Sequence, residues 1–215
     1  MGRGLLISID GVEGAGRTTH ANQLSKKLEY FGYGTVNLDI QKSKLFGNVI
    51  NKKKKDIFFE TRTLFLAHAT ALADLGNKIK PAIESGFIVI FDGYMDTLKS
   101  WGLVRGLDEK WMNDIFSMII KPDIKVHLYA RSDEIIKRII KKMGFLDPLT
   151  SSIELCNADL YDSYINYITN FQDILVRESK NIINVDTSEK FSNANSKIVK
   201  RVYRKINKNK TLEIG

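Results

Sequence analysis

Five short apolar runs, rich in β-branched residues, recur along the chain with helical patterns between them. Runs that are apolar nearly throughout are typical of strands buried on both faces of a parallel sheet. The predicted strands are Leu5–Asp10, Gly34–Asp39, Phe87–Asp92, Ile124–Tyr129 and Asn181–Asp186. Short strands of this kind predict a single sheet with a buried interior.

Apolar residues at helical spacing predict six helices between and after these strands. The first ends at Gly32, a favoured residue at a helix C-terminus, and Ser132 is the predicted N-cap of the fourth. The marker residues are Ala21/Leu24/Leu28/Phe31, the long segment Glu60–Ser85, Trp111/Ile115/Met118, Ile135/Ile136/Ile139/Ile140/Met143, Tyr161/Tyr164/Ile165/Ile168/Phe171 and Ile198/Val199/Val202/Ile206. Strands that alternate with helices predict an α/β layer fold with right-handed crossovers.

The bulk composition predicts one compact domain spanning residues 1–215, with a core that needs no disulfides. Cys156 is the only cysteine, and no apolar run approaches 18 residues, so we expect a cytoplasmic protein without a membrane segment. The net charge is +8, but the basic residues are scattered and no groove-reading motif is present. We therefore predict an anionic nucleotide partner rather than nucleic acid, and a solvated surface for the lysine run Lys52–Lys55.

A glycine-rich loop follows the first predicted strand and precedes the first predicted helix. It reads Gly11, Val12, Glu13, Gly14, Ala15, Gly16, Arg17, Thr18 and Thr19. This spacing is nearly that of the phosphate-binding loop G-x-x-x-x-G-K-[ST], in which backbone N–H groups and a helix N-terminus cradle phosphates. Thr18 stands where a hydroxyl ligates Mg²⁺. The loop therefore predicts a site for a nucleoside phosphate.

Arg17 stands where this motif has lysine. The positive charge is kept, but a guanidinium is wide and planar whereas an ammonium is a slim point charge. Phosphate affinity can survive this change while the alignment of the transferred group is altered. A working site, a remodelled site and the remains of a site are all open at this point.

With the loop placed, the chain resembles the thymidylate (dTMP) kinase family over residues 4 to 206. Ile79–Ile83 is similar to the family's IKPAL stretch, and Asp92–Thr97 resembles its D-R-Y-x-x-S segment. Gly144–Pro148 resembles the lid sequence G-x-L-D-R, and Asn184–Thr187 resembles the last strand and the loop beside adenine. The resemblance implies a three-layer α/β/α P-loop fold around five parallel strands, with a lid near residues 141–152. It also implies ATP and Mg²⁺, dTMP as acceptor, and a homodimer.

The resemblance also implies roles for individual residues. Arg17 and Asp92 would be catalytic, and Thr18 and Asp92 would hold the metal. The acceptor would be bound by five side chains: Glu13 at the sugar hydroxyl, Phe65 on the base, Tyr94 and Thr97 along the pocket, and Lys42 at the phosphate. The loop from Gly11 to Thr19 would bind ATP.

Five positions depart from the family pattern, and each one handles charge. The first of them is Arg17. At two further positions, Gly93 and Pro148, the family has arginine. The helix centre Ala67–Ala73 lacks an arginine that the family has, and Asp39–Ser43 lacks the usual R-E-P-like run. Replacement cations could come from Arg62, Arg105, Arg131, Arg138, Lys141 or Lys142. Phosphoryl transfer depends on positioned cations, so three hypotheses stand: a remodelled dTMP kinase, an inactive nucleotide-binding relative, or a kinase for another monophosphate.

Overall fold

The five predicted strands form one parallel sheet in the order β2-β3-β1-β4-β5. The computed structural model describes residues 3–44, 60–146, 159–177 and 182–212. The strands are β1 (Leu6–Asp10), β2 (Thr35–Asp39), β3 (Ile88–Asp92), β4 (Ile124–Tyr129) and β5 (Ile183–Asp186). The α/β prediction is confirmed, and each strand begins within two residues of its predicted start. Because β1 is central, the loop that follows it lies between the ends of β3 and β4.

Seven α-helices lie in the described part of the chain. They are α1 (Arg17–Tyr30), α2 (Thr61–Glu84), α3 (Met95–Val104), α4 (Glu109–Phe116), α5 (Ser132–Met143), α6 (Leu160–Arg177) and α7 (Phe191–Leu212). A short 3-10 turn, Ile40–Lys42, follows β2. Gly32 follows α1 with φ +86°, as predicted for the residue that ends a helix. No helix of the described residues is long and apolar enough to cross a membrane.

Three helix details differ from the sequence predictions. Helix α3 was not predicted; its N-terminus is capped by a carboxylate from a distant strand, so the local sequence carries no cap signal. Ser132 is not the N-cap of α5: Arg131 holds that position, and the Ser132 hydroxyl pairs with Thr169 Oγ1 at 3.0 Å. Met118 lies beyond the end of α4 and is 77% exposed, so it does not extend the apolar face of that helix.

The core lies on both faces of the sheet, as the apolar strands require. Ile7 and Ile9 of β1 belong to the cluster that packs with α1, α5, α6 and α7. Leu6 belongs to the opposite cluster, which packs with α2, α3 and α4. Alternate residues of one strand therefore serve both layers, which makes the observed fold a three-layer α/β/α sandwich. The predictions for Lys52–Lys55, Pro148 and lid residues 147–152 concern positions outside the described residues.

A buried cluster of charged groups lies between the sheet and α3. The Asp96 carboxylate bonds to Lys125 Nζ at 2.9 Å and to His127 Nε2 at 2.8 Å. Burial disfavours the ionised form of Asp96, but the hydrogen bond to His127 and the charge of Lys125 together lower its pKa. These two contacts tie β4 to the first turn of α3.

We predict that Asp96→Asn destabilises the protein by about 1–3 kcal/mol, because it removes the carboxylate charge that pairs with half-buried Lys125 and with buried His127. The folded-state pKa of Asp96 is lowered, so its contribution is complete above the unfolded pKa of about 3.9 and is lost as pH falls through the folded value. Urea unfolding from pH 7 to pH 3 measures the difference in free energy of unfolding between wild type and Asp96→Asn. This difference should be largest near neutral pH and smaller in acid.

Asp114→Asn is the matched control, because Asp114 lies exposed on α4. We expect this variant to stay within about 0.5 kcal/mol of wild type at every pH. Equal losses for the two variants would contradict a stabilising role for the Asp96 cluster.

Candidate active site

The glycine-rich loop wraps the N-terminus of α1. Gly16 is the N-cap and has φ +93°, a left-handed conformation that favours glycine. Helix α1 begins at Arg17, so the first N–H groups of the helix face the concave side of the loop and lack intrahelical partners. Val12 and Ala15 are buried and anchor the loop, whereas Glu13, Thr18 and Thr19 are exposed. The geometry is that of an anion cradle.

Thr187, the residue that follows β5, supports the loop through a hydrogen bond. Thr187 Oγ1 donates to the Ala15 carbonyl at 3.0 Å. Arg138 of α5 in turn donates to Thr187, through Nη2 to the carbonyl oxygen at 2.6 Å and through Nη1 to Oγ1 at 3.1 Å. Arg138, one of the possible replacement cations, is thus engaged with the backbone that supports the loop.

Asp92 lies directly across from the loop at the end of β3. The strand register pairs Asp92 with Ile9, one residue before β1 ends. Thr18 Oγ1 donates to Asp92 Oδ2. Asp92 Oδ1 lies 3.4 Å from Arg17 Nε, an ion-pair distance, and accepts no hydrogen bond of good geometry among the described residues. The structure therefore brings Arg17, Thr18 and Asp92 into contact.

Asp10, the last residue of β1, holds the start of α3 against the loop. Its Oδ1 accepts from Tyr94 N at 2.8 Å, Thr97 N at 3.0 Å and Thr97 Oγ1 at 2.7 Å. A carboxylate that receives N–H groups from the first turn of a helix acts as an N-cap and favours the helix dipole. Thr97 Oγ1 also accepts from Gly11 N at 3.2 Å, so one hydroxyl links the loop to α3. The sequence interpretation did not assign Asp10 a role; its only signal is a carboxylate that ends a central strand.

The other residues predicted to bind the acceptor nucleotide do not all lie against the glycine loop. Tyr94 is 1% exposed and its hydroxyl donates to the Ile120 carbonyl at 2.8 Å. Phe65 is fully buried, and its ring packs against Trp111 and Phe116. Lys42 is exposed after β2, where its carbonyl accepts from Lys78 Nζ. Thr97 is the member of this set that touches the loop.

Arg105, at the C-cap of α3, stacks on two aromatic rings. Its guanidinium carbon lies 4.3 Å from the ring centre of Trp101 and 5.1 Å from that of Tyr167. Burial raises the pKa of the Tyr167 hydroxyl and Arg105 opposes that rise; the charges of Glu13 and Arg17 act on the same hydroxyl. The Tyr167 hydroxyl is therefore one group on which the charges of Arg105, Glu13 and Arg17 all act.

The other possible replacement cations are exposed on the protein surface. Arg131 is largely exposed and pairs with Asp133 at 3.4 Å. Arg62, Lys141 and Lys142 lie on the surface of α2 and α5. Among the described members of this set, Arg138 is linked to the loop through Thr187, whereas Arg105 stacks on Trp101 and Tyr167.

The donor set fits a magnesium-bound nucleoside phosphate. Mg²⁺ prefers oxygen ligands, and the Thr18 hydroxyl and the Asp92 carboxylate supply oxygens that already touch each other. The buried Asp92 Oδ1 has no hydrogen-bond donor among the described residues. Arg17 beside it adds a positive charge at the helix N-terminus, where phosphate oxygens are favoured.

A central parallel strand, a glycine loop at a helix N-terminus and an aspartate on the adjacent strand define a P-loop nucleotide-binding protein. The sequence model of the thymidylate kinase family matches residues 9–198. The chain is 28% identical over 189 residues to "Probable thymidylate kinase 2" of Saccharolobus solfataricus, which covers 86% of this chain and 88% of that protein. It is 32% identical over 146 residues to "Probable thymidylate kinase" of Thermococcus gammatolerans, covering 63% and 70% of the two chains.

"Thymidylate kinase" of a Thermoanaerobacter species is 33% identical over 147 residues, again covering 63% of this chain and 70% of that protein. The chain belongs to the thymidylate kinase family. This family belongs to the nucleoside-monophosphate kinases, a class of P-loop proteins.

We predict that Thr97→Val destabilises the protein by about 1–3 kcal/mol, because the isosteric change leaves Gly11 N without its acceptor and removes a bond to Asp10. Chemical unfolding in urea measures this loss. Thr97→Ser keeps the hydroxyl and should lose clearly less. A loss for serine as large as that for valine would contradict a specific role of the hydroxyl in supporting the loop.

Proposed function

We propose that this chain phosphorylates dTMP to dTDP with ATP and Mg²⁺, using a remodelled set of cations. The observation that carries the proposal is the contact of Thr18 and Arg17 with Asp92 across the glycine loop. Arg17 and Thr18 begin α1, which follows β1, and Asp92 ends the adjacent strand β3. Together they are the groups that a P-loop kinase needs at the transferred phosphate. The acceptor follows from the family, whose similar members carry thymidylate kinase names.

The chain's own residues position the reactants and face their charge. The N–H groups of the loop and of the first turn of α1 hold the donor phosphates, and Thr18 and Asp92 hold the metal. Bound ATP and Mg²⁺ would supply the phosphoryl group and neutralise its charge. Arg17 stands beside Asp92, where a guanidinium favours the developing negative charge of phosphoryl transfer.

Arg105 supports the remodelled part of the proposal. Its charge lies over Trp101 and Tyr167, in the neighbourhood of Glu13 and Arg17. We propose that Arg105 contributes a second positive charge to the cleft in place of an arginine that the family carries elsewhere. Stacking between two rings fixes a planar guanidinium at a low cost in conformational freedom.

The remaining assignments also belong to the proposal. Glu13 would hold the sugar hydroxyl, with Lys42, Phe65, Tyr94 and Thr97 on the acceptor side, and residues near 141–152 would form the lid. A homodimer and a cytoplasmic location stay predictions that follow from the family resemblance and the single cysteine.

The first test is coupled turnover of ATP with dTMP and Mg²⁺, beside a panel of other nucleoside monophosphates. We expect wild type to prefer dTMP and Arg17→Lys to be slower on the order of a hundredfold, because the ammonium no longer contacts Asp92 and Thr97 together. Arg204→Lys, an exposed arginine on α7, is the matched control and should keep wild-type turnover.

The outcomes separate the three hypotheses. Activity on another monophosphate alone keeps the chemistry and removes dTMP as the acceptor. If neither wild type nor Arg17→Lys turns over any acceptor, the kinase proposal fails and a nucleotide-binding relative remains.

A further inference from the structure

The Arg17 side chain leaves the loop that carries it and reaches the opposite side of the cleft. Its Nε lies 3.4 Å from Asp92 Oδ1, and its Nη1 donates to Thr97 Oγ1 at 3.4 Å. Asp92 ends β3 and Thr97 lies in the first turn of α3, so both contacts are to the segment that joins β3 to α3. The guanidinium therefore lies between the glycine loop and this second segment.

The guanidinium occupies the space beside Gly93 where any other residue would carry a side chain. Gly93 has φ +74°, and a Cβ atom built on it would lie 2.6 Å from Arg17 Nη1 and 3.2 Å from Cζ. Contacts under 3.0 Å force one group to shift. Position 93 thus has a second reason to be glycine besides its backbone conformation: the Arg17 head group packs against its bare Cα.

One edge of the guanidinium remains available to a ligand. Nε and Nη1 face Asp92 and Thr97, whereas Nη2 makes no hydrogen bond with the described residues. The Arg17 side chain keeps 24% of its surface exposed. The contact to Thr97 is long for a hydrogen bond, so a phosphate oxygen can replace it at little cost. A planar fork with two terminal nitrogens suits a phosphate monoester dianion.

We infer that Arg17 holds the phosphate of the acceptor nucleotide, and that Gly93 is the residue that makes room for this grip. The donor phosphates have the N–H groups of the loop and of α1, whereas the Arg17 head group has crossed to the β3–α3 segment. One arginine therefore spans the two phosphates between which transfer occurs. Arg17 and Gly93 act as one unit, so a change at either should affect the same ligand. This inference rests on the proposed function.

The inference is tested by calorimetric binding of dTMP in EDTA without ATP, which requires no catalysis. We expect Gly93→Ala to weaken dTMP binding roughly tenfold to a hundredfold, the worth of one or two charge-assisted hydrogen bonds, and to leave binding of thymidine unchanged. Gly32→Ala is the matched control, because Gly32 has φ +86° and a Cβ there meets no atom within 4 Å. The two variants should lower the melting temperature alike, and only Gly93→Ala should weaken dTMP binding.

A double-mutant cycle with Arg17→Lys gives the second readout. The slim lysine leaves the space beside residue 93 empty, so Gly93→Ala should change dTMP affinity less than about twofold in the Arg17→Lys background. Unchanged dTMP affinity in Gly93→Ala, or an equal loss with and without Arg17, would overturn the inference and leave the proposed function standing. If wild type binds no nucleoside monophosphate, both the proposed function and the inference fall.

Discussion

The rest of the site depends on the hydrogen bonds that the Asp10 carboxylate accepts from the start of α3. This carboxylate lies at the end of the central strand and receives three hydrogen bonds from Tyr94 and Thr97. These bonds start α3 at the edge of the glycine loop, which sets Thr97 against Gly11 and fixes the turn that begins at Asp92. These bonds hold the first turn of α3 at the end of β1, where the carboxylate also interacts favourably with the helix dipole.

Under the proposed function, charge in this cleft is arranged differently from the family pattern that the sequence resembles. Glycine stands at position 93, and the guanidinium of Arg17 fills the space beside it. Arg105 adds a cation stacked on Trp101 and Tyr167, while Arg138 supports the loop from the β5 side. Because catalysis of phosphoryl transfer depends on where positive charge lies rather than on which residue carries it, a relocated set can serve the same reaction.

The buried polar groups on the α3 face of the sheet explain why this helix holds its position. Asp96 in the first turn of α3 pairs with Lys125 and His127 of β4, and Asp10 caps the same turn from β1. The helix is thus joined to two neighbouring strands by charged hydrogen bonds in the protein interior. Such bonds are specific in geometry because an unpaired buried charge is costly.

The sequence by itself determined the parallel sheet, the glycine loop and the family, because strand burial and phosphate binding leave local patterns of a few residues. The family resemblance that the sequence carries assigned Arg17, Thr18 and Asp92 to one site. Only the tertiary structure decided that Asp10 caps α3, that Arg17 fills the space beside Gly93, and that Arg105 stacks on Trp101 and Tyr167. Each of these contacts joins residues far apart along the chain, so no local spacing encodes the direction in which the side chain points.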